Sequence, residues 1–124
     1  MTPETPLLRQ INHVYVSGKQ PSYLAFRPQT KDNHLLSVDN GDMVTAKDSL
    51  ERFISNTGCH SIGVLAVTYG ECVSESLPVI EDGQPYSAHC SVNFSGLDKK
   101  MINSKSKLLW EMANRRGWLY HKPD

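Results

Sequence analysis

Residues 61–68, with the sequence SIGVLAVT, give the strongest strand pattern in the chain. The run is apolar nearly throughout, a pattern typical of a β-strand that is buried on both faces. We therefore predict a central strand of a sheet at this position. Helices are predicted before and after this strand, and shorter strands are predicted between them.

The first clear helix precedes this strand. Thr45 can cap its first turn, and Gly58 is predicted to end it as a glycine after the last turn. Leu50, Phe53 and Ile54 form one apolar stripe between these limits. The stripe predicts a helix that packs on the sheet through one side.

Two more helices are predicted after the strand, a short one in residues 69–76 and a longer one in residues 97–116. The longer helix ends at a glycine that follows two arginines, which is a favourable C-terminus. Its apolar residues are expected on one side, namely Met101, Ile102, Leu108, Leu109, Met112 and Ala113.

The rest of the chain is divided into short extended runs and turns. Strands are predicted in residues 8–16, 35–38, 89–94 and 118–120, with turns at 17–21 and 39–42 and a loop at 81–85. Residues 23–27 are predicted to be extended as well, because Pro28 disfavours the helical conformation of Arg27.

Together these elements predict an α+β fold, with a small mixed or antiparallel sheet packed by two or three helices. We expect a single domain over residues 7–124. Residues 1–6 contain two prolines and are predicted to be a frayed tail.

Composition sets the class of protein. The chain has 124 residues, of which 39% are hydrophobic, and no apolar run approaches the ~20 residues that cross a bilayer. The N-terminus lacks both the basic and the apolar part of a secretory leader. Three cysteines with wide spacing are no disulfide framework. These features predict a cytoplasmic protein with no membrane partner and no cofactor.

Charge is distributed unevenly along a chain whose formal net charge is zero. Residues 53–98 carry five acidic side chains and no Lys or Arg, whereas residues 99–124 carry seven basic and two acidic side chains. The basic residues of the long helix are a candidate nucleic-acid-binding face, represented by Lys99, Lys100, Lys107 and Arg116. A solvated helix face explains the same pattern, and the overall neutrality favours that explanation.

The segment 22–42 is the densest in potentially functional groups. Arg27, Lys31 and Asp32 lie between two short apolar runs in a proline-bounded loop. Such loops often carry binding residues, and Arg and Lys can hold a phosphate or a carboxylate. The candidate site residues for a ligand or partner are Arg9, Ser22, Tyr23, Arg27, Lys31 and Asp32.

Three catalytic or metal-binding alternatives have less support than the charged loop, and two of them depend on cysteine. The pairs Cys59-His60 and His89-Cys90 contain zinc-ligand types, but adjacent strand residues point to opposite faces. A thiol nucleophile at Cys72 has Glu71 beside it, which raises the thiol pKa in the unfavourable direction.

A resemblance to ADP-ribosyltransferase-like folds rests on the order of an early arginine, Arg9, the Ser22-Tyr23 pair, and a later Glu71 or Glu75. The chain is short for that class and lacks its paired-glutamate motif, so the likeness supports only a fold-level analogy.

Across most of its length the chain resembles a group of small uncharacterised bacterial proteins. The residues that carry this resemblance include the runs 8–10 (LRQ), 25–28 (AFRP), 36–38 (LSV), 61–64 (SIGV) and 116–120 (RGWLY). No activity is associated with that group, so the resemblance implies a bacterial, cytosolic setting and no mechanism.

No complete catalytic set accompanies the charged loop. The sequence therefore favours a non-enzymatic accessory domain that binds a protein partner through residues 22–42. The alternatives are a small enzyme that acts on a nucleotide or another phosphate-bearing substrate, and nucleic-acid binding through the helix at 99–116. The sequence does not indicate an oligomeric state.

Overall fold

A computed structural model describes residues 1–18 and 20–123, and the predicted turn at 17–21 falls partly outside this range, at Lys19. The described residues form one α+β domain. Its strands are β1 (Pro6–Ile11), β2 (Val16–Ser17), β3 (Gln20–Pro21), β4 (Leu35–Asn40), β5 (Gly63–Thr68), β6 (Val79–Ile80), β7 (His89–Asn93) and β8 (Tyr120–His121). Its helices are α1 (Ala46–Ile54), α2 (Tyr69–Ser74) and α3 (Lys99–Arg116). None of the helices in this part of the chain has the length and apolar character needed to cross a membrane.

Six strands form one sheet in the order β6-β7-β4-β1-β5-β8, and every pairing in it is antiparallel. β1 pairs with β5 along its whole length, from Pro6 opposite Thr68 to Ile11 opposite Gly63. Its other neighbour, β4, pairs with it only at Leu7 and Leu8. β1 and β4 therefore separate beyond Leu8, and the sheet is split there.

The sheet is covered on both faces, and β5 is buried on each, as its apolar sequence predicts. On the α3 face, Leu7, Val67 and Leu109 belong to the larger hydrophobic core. On the α1 face, Val64 and Leu50 belong to a smaller one. α3 and α1 thus lie on opposite sides of the same sheet.

Capping residues place the helix ends. The Thr45 side chain accepts a hydrogen bond from the Asp48 amide at the start of α1, and Gly117, with φ of 86°, ends α3 as predicted. The prediction that Gly58 ends the first helix is wrong, because α1 stops at Ile54. Gly58 lies in the following loop with φ of 85°.

Two other local predictions need correction. Residues Tyr23–Phe26 form a 3₁₀ turn instead of an extended run, because the Ser22 hydroxyl caps the Leu24 amide. Arg27 itself is extended, in agreement with the effect of the proline after it. The last strand, Tyr120–His121, begins two residues later than the strand predicted at 118–120.

The packing side of α3 is narrower than its sequence indicates. Ile102, Leu109 and Ala113 are buried, whereas Met101 and Leu108 are exposed. The buried set follows a spacing of seven and four residues along one line of the helix. Met101 and Leu108 lie to the side of that line, outside the core.

Residues 1–6, expected to be a frayed tail, make specific contacts with the rest of the fold. The Tyr69 amide donates to the Thr5 carbonyl at 2.9 Å and the Gly70 amide donates to the Pro3 carbonyl at 3.0 Å. The Thr5 side chain is buried and donates a hydrogen bond to the Asp42 carboxylate. Proline lacks an amide donor but keeps its carbonyl acceptor, so a proline-rich segment can still be held this way.

Candidate functional site

A half-open pocket lies on the α1 face of the sheet, and we call it the sheet–α1 pocket. Its volume is about 410 Å³, within the range of small-molecule sites. The sheet forms its floor, and the end of α1 and the loop 81–88 form its roof. The floor includes Leu8, Gln10, Ser37, Asp39 and His89, and the roof includes Phe53, Asn56, Pro85 and Tyr86.

Strand alternation places the polar groups of the floor together. Ser37 pairs with Ser91, and Asp39 pairs with His89, between neighbouring strands β4 and β7. Side chains two residues apart on a strand share a face, so these four polar residues lie on the α1 face. The alternate residues, such as Val38 and Cys90, are buried in the core on the other face.

His89 is oriented by a carboxylate. Its Nδ1 lies 2.6 Å from Asp82 Oδ1, and the Ser91 hydroxyl donates to Asp82 Oδ2 at 2.7 Å. Burial alone would raise the pKa of Asp82, but the hydrogen bonds from His89 and Ser91 outweigh it and hold the pKa below its usual value. An ionised carboxylate only accepts hydrogen bonds, so Nδ1 carries the proton. In the neutral imidazole, Nε2 is then an acceptor.

A second chain of hydrogen bonds fixes the other polar wall. The Ser49 hydroxyl donates to Asp39 Oδ2 at 2.6 Å, so its oxygen must accept from Gln10 Nε2, which lies 2.8 Å away. This direction leaves Gln10 Oε1 as an acceptor, and that atom is buried with no hydrogen-bond partner among the described residues. Arg52 Nη2 lies 3.5 Å from Asp39 Oδ2 and balances its charge.

The roof is held by Tyr86. The Arg52 guanidinium lies 4.3 Å from the centre of the Tyr86 ring, and the Asn56 amide donates to the Tyr86 hydroxyl. The His89 amide donates to the Tyr86 carbonyl at 3.0 Å. The loop 81–88 is therefore connected through Tyr86 both to α1 and to β7, the strand that carries His89.

Arg9 has a structural role that its sequence position did not suggest. Its Nε donates to the Ala25 carbonyl at 2.8 Å and its Nη1 donates to the Ser37 carbonyl at 3.0 Å, across the split between β1 and β4. Burial lowers its pKa to about 10, so it stays charged at neutral pH. Arg9 borders the sheet–α1 pocket but does not line the clefts that Arg27 lines. The sequence left open whether Arg9, Arg27 and Lys31 meet in one pocket; Arg9 and Arg27 line different pockets, although the charge of Asp32 reaches Arg9 and opposes the lowering of its pKa.

The other candidates from segment 22–42 lie on the opposite side of the domain, near α3. Ser22 is a cap of the 3₁₀ turn, and Lys107 Nζ lies 5.0 Å from the centre of the Tyr23 ring. Arg27 lines two open clefts there. Lys31 and Asp32 are exposed in the turn Thr30–Asp32.

The basic residues of α3 are not all free to meet phosphates. Arg116 Nη2 lies 2.9 Å from Glu71 Oε2, and its Nη1 donates to the Ala66 carbonyl at 2.7 Å. Arg116 therefore connects α3 to the sheet and α2. Lys99, Lys100 and Lys107 remain exposed.

The cysteine hypotheses gain no support from the geometry. Burial, followed by the charge of Glu71, raises the pKa of Cys72 to about 12, which disfavours a thiolate nucleophile. Cys90 is buried on the face opposite to His89, and burial raises its pKa to about 11. Within residues 1–18 and 20–123, no three His, Cys, Asp or Glu side chains gather as metal ligands.

Sequence reasoning missed Asp39, Asp82 and Tyr86, and it considered His89 only as a possible zinc ligand or as the histidine partner of a Cys72 nucleophile. A signal was present in the alternation of polar and apolar residues in 35–40 and 89–93, which places a polar stripe on one face of each strand. The pairing of those two strands was needed to bring the stripes together.

The chain is thus a small antiparallel α+β domain with a half-open pocket on one face of its sheet. Comparison with models of protein families, with curated proteins and with solved structures finds no match. A function is therefore inferred from the pocket itself.

Proposed function

We propose that this domain binds a small, uncharged organic molecule in the sheet–α1 pocket. The observation that carries the proposal is a half-open pocket of about 410 Å³ with largely apolar walls, onto which a carboxylate-oriented His89 faces. Apolar walls with a few fixed polar groups are the usual construction of a small-molecule site. A recognition role without catalysis accounts for this arrangement.

The preference for an uncharged ligand follows from the charges around the pocket. Asp39 lies 3.5 Å from the Arg52 guanidinium, and Asp82 accepts hydrogen bonds from His89 and Ser91. Arg9 directs its N–H groups to backbone carbonyls. Because these neighbours already stabilise the charged groups, an ionic ligand would lose its hydration for little new ion pairing.

The free polar atoms indicate what the ligand carries. Gln10 Oε1 is a buried acceptor without a hydrogen-bond partner among the described residues, and His89 Nε2 is an acceptor when Nδ1 carries the proton. The buried Arg52 Nε and Nη2 also have no hydrogen-bond partner there, but Arg52 does not line the pocket. A ligand that donates hydrogen bonds from a hydroxyl or an amide would satisfy the two acceptors. We therefore propose an apolar body with one or two hydrogen-bond donors.

A matched set of phenyl compounds tests this proposal by amide-resolved NMR. Benzamide has donors, acetophenone has only an acceptor, and benzoate is an anion. Benzamide is expected to bind most tightly and to shift the amide signals of Ser37, Tyr86 and His89. Benzoate binding as tightly as benzamide would contradict the uncharged ligand.

A pair of substitutions tests the location. Ser37→Phe places a ring in the pocket and is expected to abolish the benzamide shifts, whereas Ser74→Phe on α2 is expected to leave them unchanged. If benzamide binds the Ser37→Phe variant as it binds the wild type, the sheet–α1 pocket is not the site.

A second candidate function is the partner contact expected of segment 22–42. Leu24 is exposed on the capped 3₁₀ turn that Arg27 follows, and the two residues line one open cleft. An apolar group beside a basic one suits a partner with apolar and acidic side chains. In purification of the tagged protein from its own cells, Leu24→Glu is expected to lose a partner that Val73→Glu keeps, since Val73 is 53% exposed on α2. If both variants keep every partner, this surface is not the contact.

A further inference from the structure

A second cleft lies on the α3 side of the domain, away from the sheet–α1 pocket. Three basic residues line it, Arg27, His34 and Lys99, and we call it the basic cleft. Its volume is about 350 Å³, and Pro28, Leu97 and Ile102 provide apolar wall next to the basic groups. These residues come from the end of one 3₁₀ turn, the turn before β4, and the start of α3.

The backbone holds His34 at this cleft in an unusual conformation. Asn33 and His34 both have left-handed backbone angles, with φ of 56° and 59°. His34 is anchored on both sides, because its amide donates to the Gln29 carbonyl at 3.2 Å and its carbonyl accepts from the Phe94 amide at 3.0 Å. Strained residues that are held so firmly occur frequently at binding sites.

The positive charge of the cleft is not balanced by its own walls. Within residues 1–18 and 20–123, the side chains of Arg27, His34 and Lys99 make no hydrogen bond and no ion pair, and no acidic side chain lines the cleft. The neighbouring Asp98 accepts the Met101 amide at 2.8 Å as the cap of α3. The basic cleft therefore differs from the sheet–α1 pocket, where Asp39 faces Arg52 and Asp82 accepts hydrogen bonds from His89 and Ser91.

We propose that the basic cleft binds the phosphate group of a small organic phosphate monoester. A phosphate presents three acceptor oxygens and up to two negative charges, which match the planar fork of Arg27 and the point charge of Lys99. The apolar wall would contact the organic part of the ligand. The three basic groups gather at a single cleft, which suits one phosphate group of a small molecule better than a nucleic-acid strand with phosphates at regular intervals. This site is independent of the function proposed for the sheet–α1 pocket.

Phenyl phosphate is a suitable probe, with phenol and inorganic phosphate as controls, in amide-resolved NMR titrations of the full chain. Phenyl phosphate is expected to shift the amides of residues 27–34 and 97–102, and phenol is expected to leave them unchanged. Inorganic phosphate is expected to bind the same residues more weakly, because it lacks the apolar part. Affinity should fall as salt is added.

Charge-removing variants test the assignment. Arg27→Gln and Lys99→Gln are each expected to weaken phenyl phosphate binding by about tenfold or more. Lys47→Gln is the matched control, because Lys47 is an exposed lysine on α1, on the other side of the sheet. The dispersion of the amide spectrum shows that each variant is folded, and Lys99 is exposed at the start of α3, so its variant is expected to fold.

Four results would overturn the proposal: the absence of shifts at the basic cleft, an equal loss in Lys47→Gln, equal affinity for inorganic phosphate and phenyl phosphate, or full binding by both Arg27→Gln and Lys99→Gln. A single-stranded oligonucleotide provides a further arm of the experiment. If it binds at the cleft more tightly than phenyl phosphate, the site belongs to nucleic acid and the small-molecule assignment is wrong.

Discussion

The Arg9→Met substitution removes the guanidinium that bridges the split between β1 and β4. Two hydrogen bonds are lost, to the carbonyls of Ala25 and Ser37 at 2.8 and 3.0 Å. A hydrogen bond from a charged donor contributes about 1.5–3 kcal/mol, so the two together contribute about 3–6 kcal/mol. Methionine retains an apolar side chain of similar length and removes the cost of burying a charge, which offsets part of the loss. We expect the free energy of unfolding to fall by about 3 kcal/mol.

Urea unfolding followed by tryptophan fluorescence measures this change. A loss of about 3 kcal/mol lowers the urea midpoint by about 1–3 M. The control is Arg27→Met, the same chemical change at a guanidinium that makes no hydrogen bond with the described residues. It is expected to change the free energy by no more than about 0.5 kcal/mol. The structural role of Arg9 is refuted if its variant unfolds at the wild-type midpoint, or if the Arg27 variant is destabilised equally.

Three more predictions concern acid stability, packing and thiol exposure. Because the pKa of folded Asp82 lies below its ordinary value of 3.8, its stabilising effect is present above about pH 4 and is lost as the pH falls. The stability advantage of the wild type over Asp82→Asn in urea should therefore shrink in acid, and an advantage that grows in acid would contradict this. Gly63→Ala places a methyl group 2.8 Å from the Trp118 ring, so the free energy of unfolding should fall by about 1–3 kcal/mol in the same assay. An unchanged urea midpoint would show that the Trp118 ring moves away without cost. A thiol reagent should label Cys59 rapidly in the native protein and all three cysteines after unfolding, because the other two are buried; two rapid thiols in the native state would contradict this burial.

Local patterns were sufficient to predict most of the secondary structure. The apolar run at 61–68 contains β5, and the caps at Thr45 and Gly117 lie at the expected ends of α1 and α3. These features depend on residues close together in sequence, so they can be predicted without knowledge of the fold. The 3₁₀ turn at Tyr23–Phe26 depends on a single side-chain cap by Ser22, which competes with the extended preference before proline.

The sheet–α1 pocket could not be predicted in the same way, because its groups meet only through strand pairing. Asp39 and His89 are 50 residues apart and become neighbours through the register of β4 and β7. A shift of one residue in that register would move every polar side chain to the other face. The role of Arg9 likewise depends on the incomplete pairing of β1 and β4, which no local pattern indicates.

Crystals of the protein soaked separately in benzamide and in benzoate show whether the sheet–α1 pocket prefers an uncharged ligand. The binding account predicts density for benzamide in the sheet–α1 pocket, with its amide nitrogen within hydrogen-bond distance of His89 Nε2 or Gln10 Oε1, and no density for benzoate there. Benzamide bound only elsewhere, or benzoate bound in the pocket as well as benzamide, would contradict the claim that this domain recognises an uncharged ligand on the α1 face of its sheet.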